Sequence, residues 1–175
     1  MYPLLSELKS LYILVLLWGF LFPNPLIEQL FKEKRSIVFE VKTYNLPSNE
    51  NIVLYGAKNK RYINDKLYWG EAGYGSLLGK RGGYLEGGVI IGYQNLKERM
   101  FNLDYRLFMG AGGGGAAPQG GGFIIHPTIG LGSAISSKWT ISLELGYIKF
   151  LNGDIESPTI AISINRNYWN LSIND

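Results

Sequence analysis

The sequence predicts an all-β fold: an eight-stranded antiparallel up-and-down barrel that crosses a membrane, preceded by an N-terminal apolar helix. Three observations predict it. From Ile37 onward the apolar residues recur at every second position, the period that puts them on one face of a strand. The opposite face is built mostly of Gly, Ser, Thr and Ala instead of the solvating residues that cover a soluble barrel. Most of the alternating segments also exceed the five or six residues usual for globular strands. That length suits a tilted strand crossing a bilayer, which takes about 9–11 residues.

The chain divides into residues 1–35, an N-terminal apolar segment, and 36–175, the barrel. Leu11–Phe22 is an unbroken apolar run of twelve, stopped by Pro23 and Pro25, with a second helical stretch over Leu26–Phe31. About 20 apolar residues are needed for a transmembrane helix, whereas the apolar core of an export signal has about 7–15. The segment is therefore read as signal-like, or as an anchoring helix. Only Lys9, balanced by Glu7, precedes the run, and no small-x-small cleavage site follows Phe22.

The clearest strands come late. In Phe101–Met109, residues Phe101, Leu103, Tyr105, Leu107 and Met109 oppose Asn102, Asp104 and Arg106. In Trp139–Tyr147, residues Trp139, Ile141, Leu143, Leu145 and Tyr147 oppose Thr140, Ser142, Glu144 and Gly146. Ile160, Ile162 and Ile164 oppose Thr159, Ala161, Ser163 and Asn165. Phe123, Ile125, Ile129 and Leu131 oppose His126, Thr128, Gly130 and Gly132, with Pro127 predicting a bulge or distortion because it removes a ladder donor. Leu85, Val89, Ile91 and Tyr93 oppose Glu86, Gly88 and Gly92. Tyr68, Ala72 and Tyr74 are assigned to the apolar face against Trp69, Glu71, Gly73 and Gly75. Two further strands are placed at about 36–46 and 51–60 without a resolved face. Turn-like pieces separate all eight. With both termini on the periplasmic side, the connections after strands 2, 4 and 6 are the short periplasmic turns. The Gly-rich 112–122 segment then faces outside.

Alternation alone would also fit a soluble barrel that binds a hydrophobic ligand, with its apolar face inward. The polar face argues against that. It carries few charges (Glu71, Glu86, Asp104, Arg106 and Glu144) and almost no lysine. Such a face suits the interior of a narrow barrel, which eight strands leave just wide enough for side chains. Its charges must then pair in a buried network. Together with His126, these five residues form the expected interior polar network, read as an acidic cluster packed around Arg106. Tyr68, Tyr93, Trp139, Tyr147 and Tyr168, near strand ends on the apolar face, are the expected aromatic girdle.

Other chemistry finds little support. The chain has no cysteine, so disulfides, thiolate metal sites and a cysteine nucleophile are excluded. The net charge is only +3, and no basic helix or arginine-rich strip offers a nucleic-acid surface. Gly110-Ala-Gly112-Gly-Gly-Gly115 formally matches a dinucleotide fingerprint, but a strand follows it, where that fingerprint requires a helix. The lone His126 makes no zinc site, and Glu144, on the same expected face, is a candidate partner for it. No catalytic residue, metal or cofactor is expected.

The closing segment Tyr147–Pro158 with Thr159–Asn165 looks like the last hairpin of small bacterial outer-membrane barrels, and distantly resembles the lipid A deacylase family. That resemblance implies an eight-stranded barrel. In the family, a catalytic His and Ser precede an Asn near this hairpin. Aligning that Asn with Asn152 puts Lys149 and Leu151 at the other two positions, and neither can do the chemistry. The expected function is therefore a structural or surface-interaction barrel of the outer membrane. A hydrolase of lipid A or phospholipid is the alternative within the membrane. The expected partner is membrane lipid, with lipopolysaccharide as a candidate ligand, and the expected state is a monomer.

Overall fold

The computed structural model describes residues 32–47, 50–77, 80–95, 101–118 and 120–171. The N-terminal apolar segment and its expected helix lie outside them, apart from the last few residues before Ser36. Eight strands follow one another: β1 (Lys32–Leu46), β2 (Glu50–Tyr62), β3 (Leu67–Gly75), β4 (Leu85–Asn95), β5 (Phe101–Gly113), β6 (Phe123–Ala134), β7 (Trp139–Phe150) and β8 (Glu156–Leu171). Each pairs with its sequence neighbour, and the sheet closes into a barrel. The pairings from β1–β2 through β7–β8 are all antiparallel. At the seam, the Ser36 hydroxyl donates to Asn165, and the Asn45 backbone N–H donates to the Ser157 hydroxyl at 3.0 Å. Closure leaves no unpaired strand edge, which is what a hydrocarbon solvent demands of a sheet.

The strand period then sorts the side chains. Phe39, Val41, Tyr55, Val89, Ile91, Leu103, Tyr105, Ile141, Leu143, Ile160 and Ile162 all point outward and are exposed. Lys42, Lys58, Glu86, Arg106, His126 and Glu144 point inward and are buried. Leu143 is 52% exposed while its neighbour Glu144 is 4% exposed, so the barrel is inside-out relative to a soluble protein. Among the described residues no helix is long and apolar enough to cross a membrane.

β3 differs from the sequence expectation. Tyr68, Ala72 and Tyr74 point inward, whereas Trp69 and Glu71 point outward. Tyr68 is thus a core residue and no part of a girdle. The reason is local. Both faces of this short strand carry aromatics, so alternation does not tell them apart, and the space opposite decides. Tyr68 pairs with Gly92 and Tyr74 with Gly56, and a Cβ on either glycine would run into the tyrosine ring.

Pro127 also behaves differently from a bulge. The β5–β6 pairing runs through it at Leu107, while the β6–β7 pairing stops after Ile125–Lys149 and resumes at Thr128–Gly146 in unchanged register. The missing N–H interrupts one ladder without inserting a residue.

The odd-numbered connections gather at one end, here called the loop end. The Arg81 guanidinium donates to the backbone carbonyls of Gly115 (3.2 Å) and Ala116 and pairs with Glu50 at 3.1 Å. Asp154 N–H donates to Pro118 O at 3.3 Å. The glycine run leads into the β5–β6 loop, where Gly114 and Gly122 have φ of 94° and 76°, a region a side chain rarely adopts. Beneath the loops, Leu46, Ile52, Leu54, Ile124, Phe150 and Ile155 form a buried apolar plug.

Candidate functional site: the charged interior

Below the plug the interior is polar and arranged in tiers. Nearest the loop end, Lys42 Nζ lies 2.5 Å from Glu86 Oε2. Tyr44 donates its hydroxyl to Glu86 Oε1 at 2.7 Å, and Tyr84 donates to the same oxygen at 3.3 Å. Burial, with Glu86 beside it, holds the Tyr84 phenol well above its ordinary range, so it remains a donor. The Lys42 ammonium also lies 3.7 Å from the Tyr74 ring centroid, a cation–π contact.

The middle tier is a four-membered charge cluster. Lys58 pairs with Glu40 and, at 3.1 Å, with Glu144. Arg106 approaches Glu144 at 2.5 Å and Glu40 at 3.7 Å. The Ser163 hydroxyl donates to Glu144 at 2.6 Å. Nearest the opposite end, Lys60 pairs with Asp104, and Tyr68 donates to Asp104 Oδ1 at 2.5 Å. Tyr62 donates to Gln94 at 2.6 Å.

These tiers balance. Lys42, Lys58, Lys60 and Arg106 face Glu40, Glu86, Asp104 and Glu144, four cations against four carboxylates. Burying a lone charge costs several kcal/mol. Pairing and hydrogen bonding are the way such charges are tolerated. Among the described residues, the interior at these levels is filled by paired, buried side chains.

Of the six residues expected in this network, Glu86, Asp104, Arg106, His126 and Glu144 point inward. Glu71 does not: it sits on the outer wall, 2.9 Å from Arg61. His126 does not pair with Glu144. Its Nε2 is 2.8 Å from the Thr159 hydroxyl and 3.4 Å from that of Thr128. The expectation of a lysine-poor face around a single arginine is also corrected, because Lys42, Lys58 and Lys60 are three of the four buried cations among the described residues. Sequence reasoning missed them because they lie in the two segments whose faces it left unresolved. The available signal was Glu40 and Lys42, then Lys58 and Lys60, each pair two apart and out of phase with Phe39, Val41 and Tyr55.

A closed eight-stranded antiparallel barrel, apolar outside and charged within, is the architecture of transmembrane barrels. Comparison with solved structures agrees. A de novo designed transmembrane β-barrel superposes with a TM-score of 0.51 at 12% identity, covering 76% of this chain and 95% of that one. Ail, an outer-membrane protein of Yersinia pestis solved in a bilayer nanodisc, gives 0.52 at 14% identity, covering 78% and 99%. Neisserial surface protein A gives 0.50 at 10% identity, covering 78% and 97%. At these identities the likeness is one of fold. No protein-family model matches the sequence, and comparison with curated proteins finds no relative. Nothing in these comparisons links the chain to lipid A deacylases. Lys149 lies on the outer wall in an exposed pair with Glu156 at 3.1 Å, and Leu151 lies in the turn after β7.

Proposed function

We propose that this chain is a bacterial outer-membrane β-barrel of structural or surface-interaction type, its interior a closed polar plug and not a diffusion path. The observation that carries the reading is the division of residues across the wall. Apolar side chains cover the outside, and eight charges neutralise one another inside. The apolar plug and the tied loops support closure at the loop end. The outer surface of the loops, with the exposed Lys80 beside Arg81, is where a ligand such as lipopolysaccharide would be met. The solved neighbours with similar folds bear the names of bacterial surface proteins, which fits this reading.

The test is fractionation followed by reconstitution. The full chain expressed in a Gram-negative host should co-sediment with outer membrane and resist alkaline carbonate extraction. Folded into phosphatidylcholine liposomes, it should retain entrapped glucose. Recovery in the soluble fraction, or rapid glucose leakage, contradicts the proposal.

A further inference from the structure

The outer wall is mostly apolar; apart from the exposed Lys149–Glu156 pair beside the β7–β8 turn, it carries a polar patch on β2 and β3. On β2 and β3, Asn59, Arg61 and Glu71 point outward. Arg61 Nη2 donates to Glu71 Oε1 at 2.9 Å, Asn59 Nδ2 donates to Glu71 Oε2 at 3.4 Å, and the guanidinium lies 4.7 Å from the Trp69 ring centroid. The Glu71 side chain is 48% exposed, so this pair is presented to whatever surrounds the barrel.

Its depth makes it unusual. Trp69, Tyr93, Trp139 and Tyr168 are exposed on the outer wall toward the end opposite the loops and mark the interfacial level there. Glu71 stands two positions further into β3 than Trp69, roughly 5 Å deeper at about 3.3 Å per residue and a tilt near 45°. An ionisable pair facing hydrocarbon is costly, and such residues mark partners or pathways by default. Beside it the wall is bare. Ala57, Gly73, Gly87 and Ala111 are consecutive cross-strand partners on β2, β3, β4 and β5, between Phe39 and Phe123. A Cβ on Gly87 would meet nothing within 4 Å, and one on Gly73 only Glu86 O at 3.9 Å, so internal packing does not require these outward glycines. Small residues let two backbones approach closely in a membrane.

We propose that the β2–β3 wall is a lateral interface between two copies of this chain. The charge pattern is what names the occupant. Guanidinium and carboxylate meet at one level on adjacent strands. A two-fold axis along the membrane normal therefore brings Arg61 of one copy to Glu71 of the other, and the reverse. The patch is self-complementary, as an isologous interface must be. Association sets the Arg61–Glu71 pair of one copy against that of the other, beside Arg35, the β1 partner of Arg61. This inference rests on the membrane reading above, but its experiment can fail while that reading stands.

The chain has no native cysteine, so single cysteines report directly. Gly73→Cys in membranes should form an oxidised dimer, and Leu143→Cys on β7 should not. Arg61→Glu and Glu71→Lys should each reduce the cross-linked fraction in the Gly73→Cys background by at least about tenfold, the scale of losing close interfacial charge pairs. The decisive arm mixes the two variants under different tags. Neither keeps its own ion pair, yet unlike copies should cross-link while like copies do not. Circular dichroism and membrane extraction check that both variants remain folded barrels in the membrane. The proposal is overturned by equal cross-linking at positions 73 and 143, by no cross-linking at 73, by a cross-link only to a protein of different mass, or by no recovery in the mixture. If the Gly73→Cys protein is recovered in the soluble fraction, the membrane reading fails along with it.

Discussion

Single residues in this barrel are judged by whether their charge stays paired. Lys58 pairs with both Glu40 and Glu144, and Arg106 lies against the same two carboxylates. Lys58→Met should lower unfolding free energy by about 3–5 kcal/mol, the cost of breaking a buried pair from one side. Adding Glu40→Gln should recover a substantial part of that loss, because the stranded charge is then gone. Denaturant titration in detergent, read by tryptophan fluorescence, gives both numbers. Gly92 is equally exposed to test. Its missing side chain leaves the space filled by the Tyr68 ring, so Gly92→Val should displace that ring and cost about 1–3 kcal/mol by overpacking. At this scale the sequence was half legible. Glu86, Asp104, Arg106, His126 and Glu144 could be read as interior because each follows an unambiguous apolar period. Glu71 could not, since its strand carries tyrosines on one side and Trp69 on the other.

Strands were more legible than the faces of some of them. β5 up to Leu107 and β7 up to Tyr147 alternate between large apolar and small or polar residues, so strand and face follow together. β1 and β2 mix Leu, Ile and Lys on the inward side, because one end of the interior is an apolar plug and the rest is charged. A single strand passing through both layers shows no constant contrast, and periodicity loses its sign. β6 offers an element-scale test. Its pairing with β7 is broken only around His126 and Pro127, so Pro127→Val should restore a ladder donor toward β7. Hydrogen exchange at Tyr147, which faces position 127 across the ladder, should slow, with stability changing by no more than about 1 kcal/mol. Unchanged exchange would mean that the interruption has another cause.

For the whole molecule, everything depends on which side of the wall is dry. The outer wall would be untenable in water, and the interior charges would be untenable unless enclosed and neutral. A barrel in a bilayer, as proposed, meets both conditions at once. Leu143 and Glu144, adjacent on β7 and opposite in environment, test this most directly. Cysteine placed at each position in turn, in intact outer membranes, should behave differently toward a lipid-restricted and a water-soluble maleimide. The account predicts that the lipid-restricted reagent labels position 143, and that neither reagent labels position 144. Free labelling of position 143 by the water-soluble reagent, in protein purified without detergent, would contradict it.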